Sequence, residues 1–262
     1  MQALTLPARR GWRWLADGFA IFRRKQLMLS LAVFGYWMAM ALISAFPLIG
    51  RVAAMLLIPV FSVSLMNACR VLESGNPRPL MLSPPLLFSG FKKNSRTLLK
   101  LGVIYFVFTV GVFAAVAPID DGVLFRMVIL GEPQHAKILD SEAVMLAAQL
   151  ALASFMPLMM AYWFAPVLVA WHDLSAAKSL FFSFVACLRN WRAFLVYGAA
   201  VVIIGALLPG VLTGVLSAIV PGGGGVLSIM LTSLIVLFLL PTLYASFYVS
   251  YRDVFVTVDD NA

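Results

Sequence analysis

Charge is what this sequence has least of. Only 11% of its 262 residues are Asp, Glu, Lys or Arg, whereas a soluble domain carries roughly 25%. So little polar surface excludes a water-soluble globule. Cysteine is nearly absent too, with Cys69 and Cys187 alone and no C-x-x-C pair, which excludes a disulfide framework and a cysteine zinc site. Each thiol sits near a basic residue, Arg70 or Arg189, at a membrane edge predicted to be cytoplasmic, where thiols stay reduced. The two histidines, His135 and His172, form no ligand cluster. Met156, Met159 and Met160 have no His or Cys near them, so they read as packing residues rather than a soft-metal path.

The apolar stretches lack an ionisable group at mid-span, the usual mark of an ion-coupled carrier. Asn67, Gln149, Ser154, Tyr105, Tyr162 and Tyr197 are the deepest polar side chains. No G-x-S-x-G elbow is present for a serine hydrolase. The run Gly222 to Gly225 has no Lys-Ser/Thr after it, so it reads as a turn, not a phosphate loop. No catalytic residue, cofactor site or metal site is expected.

What is there is hydrophobicity. Apolar residues make up 63% of the chain, with a mean hydropathy of +0.99. At about 20 residues per span, apolar runs at 26–46, 52–69, 98–117, 143–171, 193–220 and 226–251, uncharged but for Lys100 at one edge, predict six membrane helices. The first run reaches Phe46, too long for a removable signal. The expected fold is an all-α polytopic membrane helix bundle, one integral membrane domain over 1–262.

The net charge of +8 has its own explanation in such a fold. With the N-terminus inside, the outer turns hold Arg51, Arg126 and Lys137, three of the 19 Lys and Arg residues. The other sixteen lie on the cytoplasmic side, as basic loop residues do. Both termini are therefore expected in the cytoplasm, with the basic residues facing anionic lipid headgroups and no role in nucleic-acid binding.

A threefold pattern overlies the spans, with approximate repeats at 9–72, 83–173 and 174–253. Each helix pair follows an amphipathic stretch ending in a basic cluster: Phe22-Arg23-Arg24-Lys25, Phe91-Lys92-Lys93-Asn94-Ser95-Arg96, and Leu188-Arg189-Asn190-Trp191-Arg192. The second span of each pair carries proline, at Pro59, at Pro157 with Pro166, and at Pro241. In the first stretch Trp12, Leu15, Phe19 and Phe22 form one helical stripe; in the third Leu174, Ala177, Phe181, Phe184, Leu188 and Trp191 do. The second opens on a Ser83-Pro84 cap, followed by Leu87. Each stretch is expected to form a cytoplasmic helix in the headgroup layer. Gly210, Gly214 and Ala218 add a small-residue face for close helix approach.

Candidate lipid or partner contacts follow: Arg23, Arg24, Lys92, Lys93, Asp173, Lys178, Arg189, Asn190, Trp191 and Arg192. Trp171-His172-Asp173 reads first as an interfacial helix end, with Asp173 available to Lys178, Arg189 or a headgroup.

The stretch Ala161 to Tyr197, AYWFAPVLVAWHDLSAAKSLFFSFVACLRNWRAFLVY, resembles a family of bacterial six-helix inner-membrane proteins. Ala165-Pro166, Asp173, Ala177-Lys178-Ser179 and Asn190 carry the resemblance. It implies an inner-membrane location and the six-helix plan, and no reaction. The function expected is non-enzymatic binding of lipid or a membrane-protein partner. The alternative is a permease for a small or amphipathic solute, working without an intramembrane carboxylate.

Overall fold

In a medium without water every backbone N–H and C=O must find a partner inside the chain, and a helix supplies one to each. The computed structural model describes residues 2–46, 49–74, 88–219 and 224–256, and these are almost entirely helical. The Ser83-Pro84 cap with Leu87, Pro47 between the first two predicted spans and Pro221 to Gly223 between the last two lie outside the described residues.

In chain order the elements are β1 (Gln2–Ala3), α1 (Arg10–Arg24), α2 (Gln26–Ser44), α3 (Ile49–Glu73), α4 (Ser95–Val116), α5 (Glu142–His172), α6 (Ala176–Arg189), α7 (Trp191–Val202), α8 (Leu208–Ile219), α9 (Gly224–Val254) and β2 (Phe255–Val256). A π-helical turn, Ile203–Leu207, joins α7 to α8. Among the described residues six helices are long and apolar enough to cross a membrane, and each overlaps one of the six predicted runs. The chain is an all-α, multi-pass membrane helix bundle. Pro59, Pro157, Pro166 and Pro241 all lie inside helices.

Two compact units share the chain. One comprises Met1–Gly35, Ser64–Leu87 and Ala186–Ala262; the other comprises Tyr36–Val63 and Phe88–Val185. The repeat boundaries expected from sequence cut across both.

In the first unit α1 packs on α7 and α9. Trp14 meets Asp253, Gly18 meets Ser246 and Phe22 meets Phe238, so α1 runs antiparallel to α9. Gly11 and Gly18, two turns apart, let the backbones touch. A Cβ on Gly18 would fall 2.6 Å from the Ser246 nitrogen, and one on Gly11 would strike the Ala193 carbonyl. This close approach sets the rotation of α1. Leu15 and Phe22 of the predicted stripe turn inward, together with Trp14 and Ile21, whereas Trp12 and Phe19 stay exposed. The termini meet nearby: Gln2 pairs with Val256 and Ala3 with Phe255.

In the second unit α4 lies against α5. Tyr162 donates to the Leu101 carbonyl at 2.6 Å, and Gly102 brings α4 against the Leu56 backbone. The loop between α4 and α5 is folded, not merely polar. Asp120 is buried and accepts from the N–H groups of Gly122 (3.1 Å) and Leu124 (2.8 Å). Val123 and Leu124 thereby pack on Val112, Val116 and Ala147.

Ser183 of α6 makes an unusual contact with α5. Its hydroxyl donates to the Met160 carbonyl at 2.8 Å and accepts the Phe164 N–H at 2.9 Å. Those two groups are four residues apart, the pair an uninterrupted helix would join directly. The hydroxyl thus bonds both groups of one step of the α5 ladder, between the two prolines. The predicted apolar stripe of α6 faces the other way: Phe181, Leu188 and Trp191 are exposed, while Ser179, Ser183 and Ala186 are fully buried. In lipid an exposed phenylalanine costs nothing, and the small polar face is the one that packs.

Gly18→Leu is expected to lift α1 from α9 and lower the thermal stability of the detergent-solubilised protein by about 1–3 kcal/mol, the cost of overpacking. Gly198→Ala, where an added Cβ meets nothing within 4 Å, is expected to leave the melt unchanged.

Candidate functional site

Two carboxylates organise the polar end of the first unit. Asp253, its side chain only 8% exposed, accepts from Arg10 Nε at 2.6 Å and from Trp14 Nε1 at 3.0 Å. Trp14 is itself buried against Phe194, with ring centroids 5.1 Å apart. The Asp253 bond raises the Arg10 pKa further above its ordinary value, so the guanidinium stays charged. Glu73 accepts from the Tyr248 hydroxyl at 2.6 Å and from the Arg252 guanidinium. Its backbone carbonyl takes Arg24 Nη1 at 3.3 Å. The sequence counted Glu73 and Asp253 only as charges, and nothing in the pattern around them announced Trp14 as a buried donor.

Asn190 requires a correction. It was expected at a lipid or partner surface, but it is fully buried. Its Oδ1 accepts the Leu6 N–H at 2.8 Å, and its Nδ2 donates to the Leu4 and Ala186 carbonyls, both at 2.9 Å. The amide holds the N-terminal segment as a neighbouring strand would. Its neighbours do reach the surface. Trp191 is exposed, with the Arg192 guanidinium 5.3 Å from its ring centroid, and Arg189 is exposed in the last turn of α6.

In the second unit Asp173 sits just past α5 in the left-handed conformation, at φ 55°. Its partner is neither Lys178 nor Arg189. Lys93 Nζ donates to one oxygen at 2.8 Å and Asn94 Nδ2 to the other at 2.6 Å. Asn94 Nδ2 also donates to the Val169 carbonyl at 2.8 Å, one of the orphan acceptors at the end of α5. Lys93, then Asn94, hold the Asp173 carboxyl below its ordinary pKa of 3.8. The Lys93–Asp173 pair is exposed on both sides, so salt screens it and it contributes little to stability. Lys178 is exposed on α6. Among the described residues the side chains of Arg13, Lys25, Lys92, Lys178 and Arg189 have no hydrogen-bond or ion-pair partner.

Sequence reasoning also missed a concave feature in the first unit. An open groove of about 400 Å³ runs between α1 and α9, within the size range of small-ligand sites. Trp12, Leu15, Ala16 and Phe19 form one wall. The other is built from Ile235, Phe238, Leu239 and Thr242, with Ile204 of the π-helical turn. Thr242 donates its hydroxyl to the Phe238 carbonyl at 2.7 Å, so even this polar side chain offers the groove no free donor. Arg23 stands at its edge, its guanidinium 5.9 Å from the Phe19 ring centroid. The only signal in the sequence was the exposed half of the α1 stripe, which two glycines had rotated out of the expected register.

Compared with known proteins, the chain is 37% identical over 261 residues to a probable inner membrane protein of Burkholderia thailandensis, covering 97% of this chain and 94% of that protein. No family model matches. No solved structure matches either.

Asp253→Ala is expected to leave Arg10 half-buried without its carboxylate and to destabilise the docked α1 by about 2 kcal/mol; trypsin cleavage after Arg10 or Arg13 should accelerate. The latch at Asp173 should depend on pH in a defined sense. Its folded-state pKa lies below the unfolded one, so its contribution is complete above the ordinary value of 3.8 and is lost as pH falls through the lower folded value. Hydrogen exchange at the end of α5 should therefore quicken on acidification, and Asp173→Asn, which tolerates the same left-handed backbone, should abolish that dependence.

Proposed function

The chain belongs to the family of that Burkholderia thailandensis inner membrane protein, and on this premise we propose that it is a bacterial inner-membrane protein that binds anionic lipid or a membrane-protein partner and catalyses no reaction. The observation that carries this reading is the way the two signs of charge are used. The carboxylates of Glu73, Asp173 and Asp253 are each engaged by donors of the chain itself. Exposed cations in each unit have no such partner among the described residues: Arg13, Lys25 and Arg189 in the first, Lys92 and Lys178 in the second.

Both termini are placed in the cytoplasm in this reading, because sixteen of the 19 Lys and Arg residues then lie inside. There they meet a negatively charged leaflet, each nearby cation contributing about 1 kcal/mol. The spans already hold the chain in the membrane, so this attraction serves selection of lipid or partner rather than anchoring. The permease alternative draws on the four in-helix prolines, which give helices places to bend. The groove between α1 and α9 is apolar, and suits an acyl chain better than a polar solute.

Native mass spectrometry after gentle extraction tests the reading. The protein is expected to retain an anionic phospholipid or a protein partner. Reversing Arg23, Arg24, Lys92, Lys93, Arg189 and Arg192 to glutamate, with insertion intact, should release it. Retention unchanged by the six reversals contradicts the proposal, and a small non-lipid molecule in its place favours the permease.

A further inference from the structure

The outward face of α1 has a simple order. Arg9, Trp12, Ala16, Phe19 and Arg23 recur at spacings of 3, 4, 3 and 4, and all five are exposed. An apolar stripe is thus closed at each end by an arginine. Trp12, Ala16 and Phe19 are also the wall of the groove that faces Phe238 and Leu239 of α9. Arg23 lies over Phe19, a cation–π contact that holds the guanidinium at the groove's edge. No carboxylate of the described residues pairs with it.

We propose that this groove holds one acyl chain of an anionic phospholipid, with the lipid phosphate on Arg23. The proposal rests on the lipid-binding reading above and names its site. Shape and polarity select the chain: the cleft is apolar along its length, and the one hydroxyl in its wall is already bonded to the Phe238 carbonyl, so a polar solute would lose its hydration without recompense. Charge selects the headgroup. A guanidinium donates two parallel bonds to a phosphate, and its planar fork is better suited to that than an ammonium. A zwitterionic lipid brings a compensating ammonium and gains less. The π-helical turn fits the same purpose, since it places Ile204 in the groove wall, and such turns recur at functional sites.

Trp12 makes the groove testable in the full-length protein. Delipidated protein in detergent is titrated with brominated-acyl phosphatidylglycerol and, separately, with phosphatidylethanolamine carrying the same chains. The Trp12 share of the fluorescence is taken as the difference from Trp12→Phe. Phosphatidylglycerol is expected to quench that share at about tenfold lower concentration than phosphatidylethanolamine, the scale of one charge-assisted contact. Arg23→Gln should erase the difference between the two lipids. Ala16→Phe, at an exposed position, should fill the groove and abolish the quenching without shifting the thermal melt. Equal quenching by both lipids in the wild type, or undiminished quenching in Ala16→Phe, overturns the proposal. Phosphatidylglycerol retention in mass spectrometry separates the two levels of the account. If Ala16→Phe retains the lipid as the wild type does and the six charge reversals release it, the groove is wrong and the basic-residue reading stands; if the reversals release nothing, the broader reading fails as well.

Discussion

Every feature of this protein answers to one constraint: in an apolar medium a backbone polar group must be bonded within the chain. Long helices meet it by themselves, and the places where they fail are where side chains become structural. Pro157 and Pro166 interrupt the ladder of α5, and between them Ser183 bonds both the Met160 carbonyl and the Phe164 N–H. Asn94 takes the Val169 carbonyl at the end of α5. Asn190 supplies the N-terminal segment with the two bonds that a neighbouring strand would give it. Polar residues in this chain are few, and other buried hydroxyls bond within their own helices: Thr109, Ser179, Thr242, Ser246 and Ser250 each donate to a carbonyl three or four residues back.

The same scarcity governs the acids. With only 11 Asp and Glu residues in the chain, two carboxylates of the first unit have definite tasks. Asp253 fixes α1 through Arg10 and Trp14, and Glu73 ties α3 to α9 through Tyr248 and Arg252. Neutralisation stops there. The basic residues outnumber the acids available to them, and the surplus stays at the surface, available to an anionic leaflet. A helix held by its glycine face and its acid pairs can present its other face, Trp12 and Phe19 with Arg23, as a fixed surface rather than a fluctuating one.

The six membrane helices were legible in the sequence because length and apolarity are one-dimensional properties. Helix ends were nearly as legible, since charge marks them. Rotation about a helix axis was not. The stripe of α1 was read from its large side chains, yet Gly11 and Gly18 chose the packed face, and so Leu15 and Phe22 went inward while Trp12 and Phe19 went out. Asn190 was misplaced for a related reason: a polar residue between Arg189 and Trp191 resembles a surface residue until the N-terminal strand that covers it is known. Asp173 was offered Lys178, Arg189 or a headgroup as its partner, but Lys93 lies 80 positions away, beyond what local spacing can show. The groove needs two helices far apart in sequence to meet, and no pattern within either one discloses it.

The orientation of the chain underlies the functional account, because the basic residues can meet an anionic cytoplasmic leaflet only if they face it. Impermeant maleimide labelling tests this directly, on a background in which Cys69 and Cys187 are both buried. A cysteine at His135 should label in spheroplasts, and one at Arg13 only in inverted membrane vesicles. The reverse pattern would put the basic residues outside the cell and contradict the account.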